Sequence, residues 1–289
     1  MNIKSYLEKK RERVNRALAG YLDFSPETPP RLQEAIQYSL EAGGKRIRPI
    51  LAMASCEACG GEEEKVLPVA CALEMIHTFS LIHDDLPAMD NDDFRRGCPT
   101  NHKVFGDGMA VLAGDGLLAH AFWLLAKTGT PPEVMEEIAW GTGPSGMVGG
   151  QALDLQAEGK KLNIQDLERI HCLKTGRLIA ASVTSGARMA NAAPGQLEGL
   201  QKYGRAVGLA FQIADDILNV EGLPQETGKQ KAGSDQKKRK AAYPGLLGLE
   251  PSRTEASRLV EEAIASLNIF DDQGDPLREI ARFIVARSH

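Results

Sequence analysis

The sequence of 289 residues contains only five cysteines, which is an odd number. A large domain does not need disulfide bonds to fold, so this count predicts free thiols in a reducing compartment. Cys56 and Cys59 have the spacing of half a redox or zinc motif, but no second pair of this kind follows. Because an i, i+3 spacing also suits an ordinary helix, we expect no metal or redox chemistry at these cysteines.

Long uninterrupted apolar segments are also missing. The longest one, Met109 to Ala126, contains Asp115, and the N-terminal segment is too charged for a signal peptide. The net charge of −5 gives no general electrostatic reason to bind nucleic acid or an anionic membrane. We therefore expect a cytoplasmic protein without a stable membrane anchor, whose partners are small molecules and not nucleic acid.

Sustained alternation of polar and apolar residues, the pattern of β-strands, is absent as well. Several long segments, including residues 163–190, instead carry apolar residues at three- and four-residue spacing, which indicates helices. We predict one all-α domain, a helical bundle that spans residues 1–289. Residues 221–245 are polar and rich in glycine and lysine, and this composition predicts a mobile basic flap.

Carboxylates are concentrated in two short motifs. The first, DDLPAMD, contains Asp84, Asp85 and Asp90, and the second places Asp215 and Asp216 between apolar neighbours. Clustered carboxylates repel one another unless a cation lies between them, and oxygen ligands suit Mg²⁺. A solvated helix end could also carry the first motif, but it would not explain adjacent charges in an apolar segment. The two motifs together therefore predict a metal site.

Helical geometry indicates which of these side chains can face one another. On a helix of 3.6 residues per turn, position 219 lies about 40° from Asp215, so Asn219 projects from the same face. Asp84 and Asp90 would lie on different faces of a regular helix, but Pro87 breaks the hydrogen-bonding pattern and lets the chain turn back. The first motif can then form one convergent site.

Basic residues accompany the two acidic motifs. They are Lys45, Arg46 and Arg48 in GGKRIRP, the pair Arg95 and Arg96, Lys174, and the lysines of the flap. Mg²⁺ is usually held by a few carboxylates together with substrate phosphate, and arginine binds phosphate oxygens in a bidentate manner. The combination of acidic and basic motifs predicts a diphosphate ligand.

The sequence resembles the short-chain trans-polyprenyl diphosphate synthases of the bacterial farnesyl diphosphate synthase type. The motifs that carry the resemblance span nearly the whole chain, and in chain order they are GGKRIRP, MIHTFSLIHDDLPAMDNDDFRRG, GGQALDL, LKTG, FQIADDIL and YPGLLGLE. The resemblance implies an all-helical homodimer with both acidic motifs facing a central cavity. It also implies condensation of isopentenyl diphosphate with dimethylallyl and geranyl diphosphate to farnesyl diphosphate, with geranylgeranyl diphosphate as the alternative product.

The resemblance further assigns roles to individual residues. Three Mg²⁺ ions, which Mn²⁺ could replace, would be held by Asp84, Asp85, Asp90, Asp215 and Asp216. The diphosphates of the two substrates would be bound by Lys45, Arg48, His77, Arg95, Arg96, Lys229 and Lys240. Arg95 would also stabilise the leaving group, while the path of the allylic cation would be lined by Lys174, Thr175 and Gln212. Product length would be set by Phe79 with Ser80.

Two departures from the family pattern affect these assignments. Asn219 stands where the second motif usually has aspartate, which predicts weaker metal binding on that side or binding through water. The flap sequence GKQKAGSD has one additional residue, so that Lys229 and Lys231 compete for the diphosphate contact.

Two other interpretations account for part of the sequence. The units Glu74 to His77 and Glu168 to His171 have the Glu-x-x-His pattern of di-iron carboxylate bundles, but a di-iron site would leave both aspartate pairs and every basic motif unexplained. A non-catalytic subunit of a prenyl synthase would tend to lose residues of the acidic motifs, and only Asn219 points in that direction.

Overall fold

The computed structural model describes residues 1–22, 24–221 and 241–286. Over these residues the all-α prediction is confirmed, since the strands form only one antiparallel pair, Phe94–Arg95 with Cys98–Pro99. The helices of the described ranges, labelled in chain order, are α1 Ile3–Tyr21, α2 Pro30–Glu41, α3 Ile47–Ala58, α4 Glu63–Asp84, α5 Asn101–Phe105, α6 Asp107–Lys127, α7 Pro132–Thr142, α8 Met147–Ala157, α9 Ile164–His171, α10 Arg177–Met189, α11 Pro194–Glu221, α12 Tyr243–Leu247, α13 Leu249–Ala265 and α14 Asp275–Ala286.

The buried apolar side chains form two cores that meet at α3 and α10. One core is built mainly by α1, α2, α4, α6 and α7, and the other by α3, α10, α11, α13 and α14. Helix α3 contributes Met53 to the first core and Leu51 to the second, and α10 contributes Leu178 and Ile179 in the same way. These helices are apolar on opposite faces and therefore join the two halves of the molecule.

Helices α4 and α6 are both long and apolar enough to cross a membrane by length and composition alone. In α4, 78% of the apolar window is buried inside the protein, which identifies it as a core helix. In α6 only 39% of the window is buried, and Val111, Leu112 and Trp123 are exposed. Helix α6 thus presents an apolar outer face.

Residues 163–190 form the helix that their periodicity predicts, but one turn of it is not α-helical. They form α9 and α10 with a π-helical turn, Cys172–Gly176, between them. A Cβ atom on Gly150 would lie 2.1 Å from the backbone nitrogen of Lys174, so only glycine permits this contact between α8 and the turn. Helix α8 was not predicted, because its glycine-rich sequence is a weak helix signal.

The cysteines are free, as predicted. Burial raises the pKa of Cys56 and of Cys59 to about 11, so both thiols are protonated and unreactive at neutral pH. Cys56 lies in α3, and Cys59 caps the C-terminus of this helix.

Candidate active site

A cavity of about 1110 Å³ lies between α3, α4, α8, the π-helical turn and α11. This volume is suited to a small-molecule ligand. Most of the residues that the sequence assigned to substrate, metal or catalysis line it, namely Lys45, Arg48, His77, Phe79, Ser80, Asp84, Arg95, Arg96, Lys174, Thr175, Gln212 and Asp215. The fold thus brings together side chains from motifs that are far apart in the sequence. Lys229, Lys231 and Lys240 lie outside the described residues.

The first acidic motif turns back on itself at the end of α4. Helix α4 ends at Asp84, and the Leu86 carbonyl accepts hydrogen bonds from the backbone nitrogens of Met89 (2.9 Å) and Asn91 (3.0 Å). The backbone nitrogen of Asp90 donates to the Asp84 carbonyl at 2.7 Å. This is the reversal expected from Pro87, and it brings Asp90 back beside Asp84.

The Asp84 carboxylate faces the cavity in an environment that disfavours its charge. Burial raises the pKa of Asp84, Lys174 opposes the shift, and Asp90 adds to it. A carboxylate in such a position is stabilised by a cation placed next to it. The charge distribution around Asp84 is therefore suited to a bound metal ion.

Asp85, in contrast, is buried beside the cavity and holds an arginine. Only 3% of Asp85 is exposed, and it accepts hydrogen bonds from Arg95 Nε (2.9 Å to each oxygen) and Arg95 Nη2 (2.7 Å). The guanidinium of Arg95 lines the cavity. In this geometry Asp85 orients Arg95, and its assignment as a metal ligand stays a prediction.

In the second acidic motif, likewise, one aspartate faces the cavity and the other is buried beside it. Asp215 lines the cavity, whereas Asp216 is 6% exposed and does not line it. Asp216 accepts hydrogen bonds from His171 Nε2 (2.9 Å), the Tyr243 backbone nitrogen (2.9 Å) and Gln212 Nε2 (3.1 Å). Three donors therefore hold this carboxylate, and its role as a metal ligand likewise stays a prediction.

These contacts fix the hydrogen-bond direction at Thr175. Because Gln212 turns its Nε2 towards the Asp216 carboxylate, its Oε1 faces Thr175, whose hydroxyl donates to it at 2.8 Å. A hydroxyl has one proton and two lone pairs. The proton of Thr175 is thus used within the protein, and the hydroxyl presents its lone pairs to the cavity.

The loop before α3 presents cations to the cavity around one buried arginine. Arg46 has φ of +51° and donates to Glu74 Oε1 (2.7 Å), the Leu40 carbonyl (2.6 Å) and Asn15 Oδ1 (2.9 Å). Arg46 and Glu74 are almost completely buried. Lys45, directly before Arg46, and Arg48, two residues after it, line the cavity.

Arg48 carries a charge that the surrounding protein does not fully satisfy. Burial lowers the pKa of Arg48 to about 10, so the side chain remains charged at neutral pH. Its buried Nε atom has no hydrogen-bond partner among the described residues. An anionic ligand would satisfy such a donor, since leaving a buried charged group without a partner is costly.

His77 is a neutral member of the same wall. Burial, together with the charges of Arg48 and Arg96, lowers the pKa of His77 well below its ordinary value. A neutral imidazole can donate one hydrogen bond without adding charge. His77 can therefore contact an anionic ligand as a hydrogen-bond donor at any pH near neutrality.

The buried Arg46–Glu74 pair should contribute strongly to stability. We expect Glu74→Gln to lower the free energy of unfolding by about 3–5 kcal/mol, because it leaves the Arg46 charge buried without a counter-charge. Urea denaturation measures this. Glu198→Gln is the matched control, since Glu198 pairs with Lys202 through side chains that are 67% and 61% exposed. A loss at Glu74 no larger than that of the control would contradict the assignment.

Several residues in or beside the cavity had no role assigned from the sequence. Both amide atoms of Gln151 are buried without a hydrogen-bond partner among the described residues, and this side chain lines the cavity. Asp154 pairs with Lys174 at 2.7 Å and so orients a predicted catalytic residue. The signal for both was the GGQALDL motif. The apolar lining had no recognisable motif, and it includes Met89, Met147, Leu155 and Phe211.

The carboxylates of the cavity fit a Mg²⁺ ion that is bound partly by the protein and partly by water or substrate. Among the described residues, no three or more His, Cys, Asp or Glu side chains form a group that could hold a metal ion by themselves. Mg²⁺, however, is usually bound through one or two carboxylates, with water and substrate phosphate completing its coordination. Asp84 and Asp215 supply carboxylates of this kind.

Comparisons with known proteins agree with this geometry. The chain is 47% identical to the farnesyl diphosphate synthase of Geobacillus stearothermophilus, over 100% of this chain and 99% of the relative. It is also 47% identical to the geranylgeranyl diphosphate synthase of Cyanophora paradoxa, over 100% of this chain and 97% of the relative. Among solved structures, an FPP/GFPP synthase from Zymomonas mobilis matches with a TM-score of 0.87 and 40% identity, covering 98% of this chain and 99% of that one.

A family model supplies the final assignment. The polyprenyl synthetase family matches residues 29–275, a range that contains every acidic and basic motif described above. Together with the full-length relatives and the shared fold, this match shows that the chain belongs to the polyprenyl synthetase family.

Proposed function

We propose that the protein is a Mg²⁺-dependent prenyltransferase that condenses isopentenyl diphosphate with dimethylallyl and then geranyl diphosphate to give farnesyl diphosphate. The observation that carries the proposal is a single cavity in which the carboxylates of Asp84 and Asp215 face the cations Lys45, Arg48 and Arg96. Two diphosphate groups would occupy the charged part, and the apolar lining would hold the growing chain.

The acidic side of the cavity is suited to the allylic diphosphate. When bound, Mg²⁺ would neutralise charge on this diphosphate and stabilise the negative charge that grows as the carbon–oxygen bond breaks. Arg95, held in place by Asp85, would donate hydrogen bonds to the same leaving group. Departure of diphosphate would thus be favoured by Asp84, Asp215 and Arg95 together.

The basic side is suited to isopentenyl diphosphate. Arg48 has a donor without a partner among the described residues, and Lys45 and Arg96 line the same wall. The guanidinium of Arg96 is placed by a hydrogen bond from Nη1 to the Gly43 carbonyl. Neutral His77 adds a donor, so that this wall could hold the second diphosphate while its double bond points towards the allylic cation.

The residues between the two diphosphates would stabilise the cation. Thr175 presents lone pairs to the cavity because its proton is committed to Gln212, and an oxygen lone pair interacts favourably with positive charge. Lys174 is paired with Asp154, which reduces its repulsion of the cation. The departing diphosphate can accept the proton that is released, so no protein base is required. The apolar lining would limit quenching by water.

Product length is expected to depend on Phe79. Its side chain lines the cavity and is 7% exposed, and Ser80 next to it donates its hydroxyl to the His77 carbonyl at 2.8 Å. The resemblance to the family gives an aromatic residue here the role of a floor that stops growth at farnesyl diphosphate. Geranylgeranyl diphosphate is the second candidate product, because a geranylgeranyl diphosphate synthase is as similar to this chain as a farnesyl diphosphate synthase.

Phe79→Ala should shift the products to longer chains, because truncating the ring opens the end of the cavity. Chromatography of dephosphorylated products from isopentenyl and dimethylallyl diphosphates measures the wild type and the variant together. We expect farnesol from the wild type and geranylgeraniol or longer alcohols from the variant. A wild type that yields mainly geranylgeraniol, or a variant with unchanged lengths, would reject the role of Phe79.

The two rival interpretations are less well supported. Glu74 is bound to Arg46, and His171 to Asp216, so these members of the two Glu-x-x-His units already have other partners. A non-catalytic subunit would lack the acidic residues that face the cavity, whereas Asp84 and Asp215 are both present. Activity of the isolated chain would decide against this second interpretation.

We also propose a cytoplasmic homodimer. The support for a dimer is the outer face of α6, where Val111, Leu112 and Trp123 are 39%, 55% and 47% exposed. An apolar face of this kind is a candidate for contact with another protein surface. A second copy of the chain would cover it, and the molecular mass in solution tests this.

A further inference from the structure

The side chain that packs against Phe79, the proposed floor of the cavity, is His83. Phe79 and His83 lie one turn apart on α4, and their rings contact edge to face with 5.0 Å between centroids and an interplanar angle of 76°. His83 also lines the cavity. The position of the Phe79 ring therefore depends on where the imidazole lies.

Helix α6 determines the position of this imidazole. His83 Nε2 donates to the Val111 carbonyl at 3.0 Å, and the same nitrogen lies 3.8 Å from Asp115 Oδ1. Between these two residues, Gly114 is buried, and a Cβ atom on it would lie 2.2 Å from His83 Nε2. The imidazole thus occupies space that any other residue at position 114 would fill.

We infer that Gly114 and His83 determine product length together with Phe79. Because Gly114 has no side chain, the imidazole of His83 can lie close against α6. In this position it packs against the Phe79 ring and supports it at the end of the cavity. This inference rests on the proposed function. It means that product length depends partly on α6, the helix that contains Gly114.

The two residues should act in opposite directions. In Gly114→Ala the new methyl group displaces the imidazole away from α6, towards Phe79 and the cavity, so the main product should shorten from farnesyl to geranyl diphosphate. In His83→Ala the Phe79 ring loses its support and can move into the vacated space, so the main product should lengthen to geranylgeranyl diphosphate. The double variant should return towards the wild-type length, because the methyl group partly fills that space.

Two further variants distinguish a specific effect on product length from a general disturbance of the structure. Gly116→Ala is the matched control on α6, since its Cβ would meet only Ile36 Cδ1 at 3.4 Å, which is ordinary contact. We expect it to leave product lengths unchanged. His83→Gln keeps a donor that can reach the Val111 carbonyl but removes the ring, and it should lengthen the products as His83→Ala does. Because His83→Gln is the milder change, it decides the matter if an alanine variant does not fold.

The experiment is chromatography of dephosphorylated products, with the total rate recorded for every variant. A loss of rate without a change in the ratio of products would indicate a purely structural role and overturn the inference. Unchanged lengths in Gly114→Ala and in the His83 variants, from a wild type that makes farnesyl diphosphate, would overturn it as well. If the wild type forms no prenyl diphosphate at all, the proposed function fails, and the inference fails with it.

Discussion

Asp84→Ala or Asp215→Ala is expected to lower kcat by about a hundredfold or more, the range observed when a group that stabilises developing charge is removed from an active site. Both carboxylates line the cavity from different helices, α4 and α11. Each would place metal charge next to the diphosphate as it leaves. Because this charge develops in the transition state, we expect the loss mainly in kcat.

Steady-state kinetics with saturating metal and substrates measures the effect. Asp272→Ala is the matched control, since Asp272 is exposed in the short helix Asp272–Gly274, far along the chain from either motif. We expect the control to keep wild-type turnover. Near wild-type turnover in the Asp84 or Asp215 variant would show that the metal site has been assigned to the wrong residues.

The sequence indicates which motifs can converge because the signals that it uses are local. The reversal at Pro87 follows from proline chemistry, and the backbone hydrogen bond from Asp90 to Asp84 confirms it. The charged motifs that the sequence singled out do converge on one cavity. Helical periodicity likewise predicts the all-α architecture, since amphipathic helices must bury their apolar faces against one another.

What the sequence could not distinguish is the role of each member of an aspartate pair. Adjacent residues on a helix point about 100° apart, so the two members of a pair can have different surroundings. Asp84 and Asp215 face it, whereas Asp85 holds Arg95 and Asp216 accepts from His171, Tyr243 and Gln212. His171 and Tyr243 come from distant parts of the chain, and their positions follow only from tertiary packing.

The contact between Gly114 and His83 is a second example. A glycine within a helix is a weak signal in sequence, because it is only a poor helix former. Its meaning depends on the imidazole that a neighbouring helix places against it. Helix α8 was not predicted for a similar reason, since Gly150 serves close packing against the π-helical turn.

Removal of divalent metal should have an effect at least as large as either aspartate substitution. Without metal, Asp84 and Asp215 would face the diphosphate as like charges, and the cavity would repel its substrate on that side. The allylic diphosphate would also lose the positive charge that stabilises it as a leaving group. Both effects act on the same step, so we expect turnover to fall to the background rate and to return when Mg²⁺ is restored.

The most direct test of the proposed function is therefore the formation of prenyl diphosphate by the purified chain with and without metal. Isopentenyl and dimethylallyl diphosphates are supplied with Mg²⁺, with excess chelator, and with chelator followed by excess Mg²⁺, and the dephosphorylated products are separated by chromatography. We predict farnesol in the first and third conditions and none above background in the second. Full turnover in excess chelator, or no prenyl product in any condition, would contradict the assignment of this cavity as a metal-dependent prenyltransferase site.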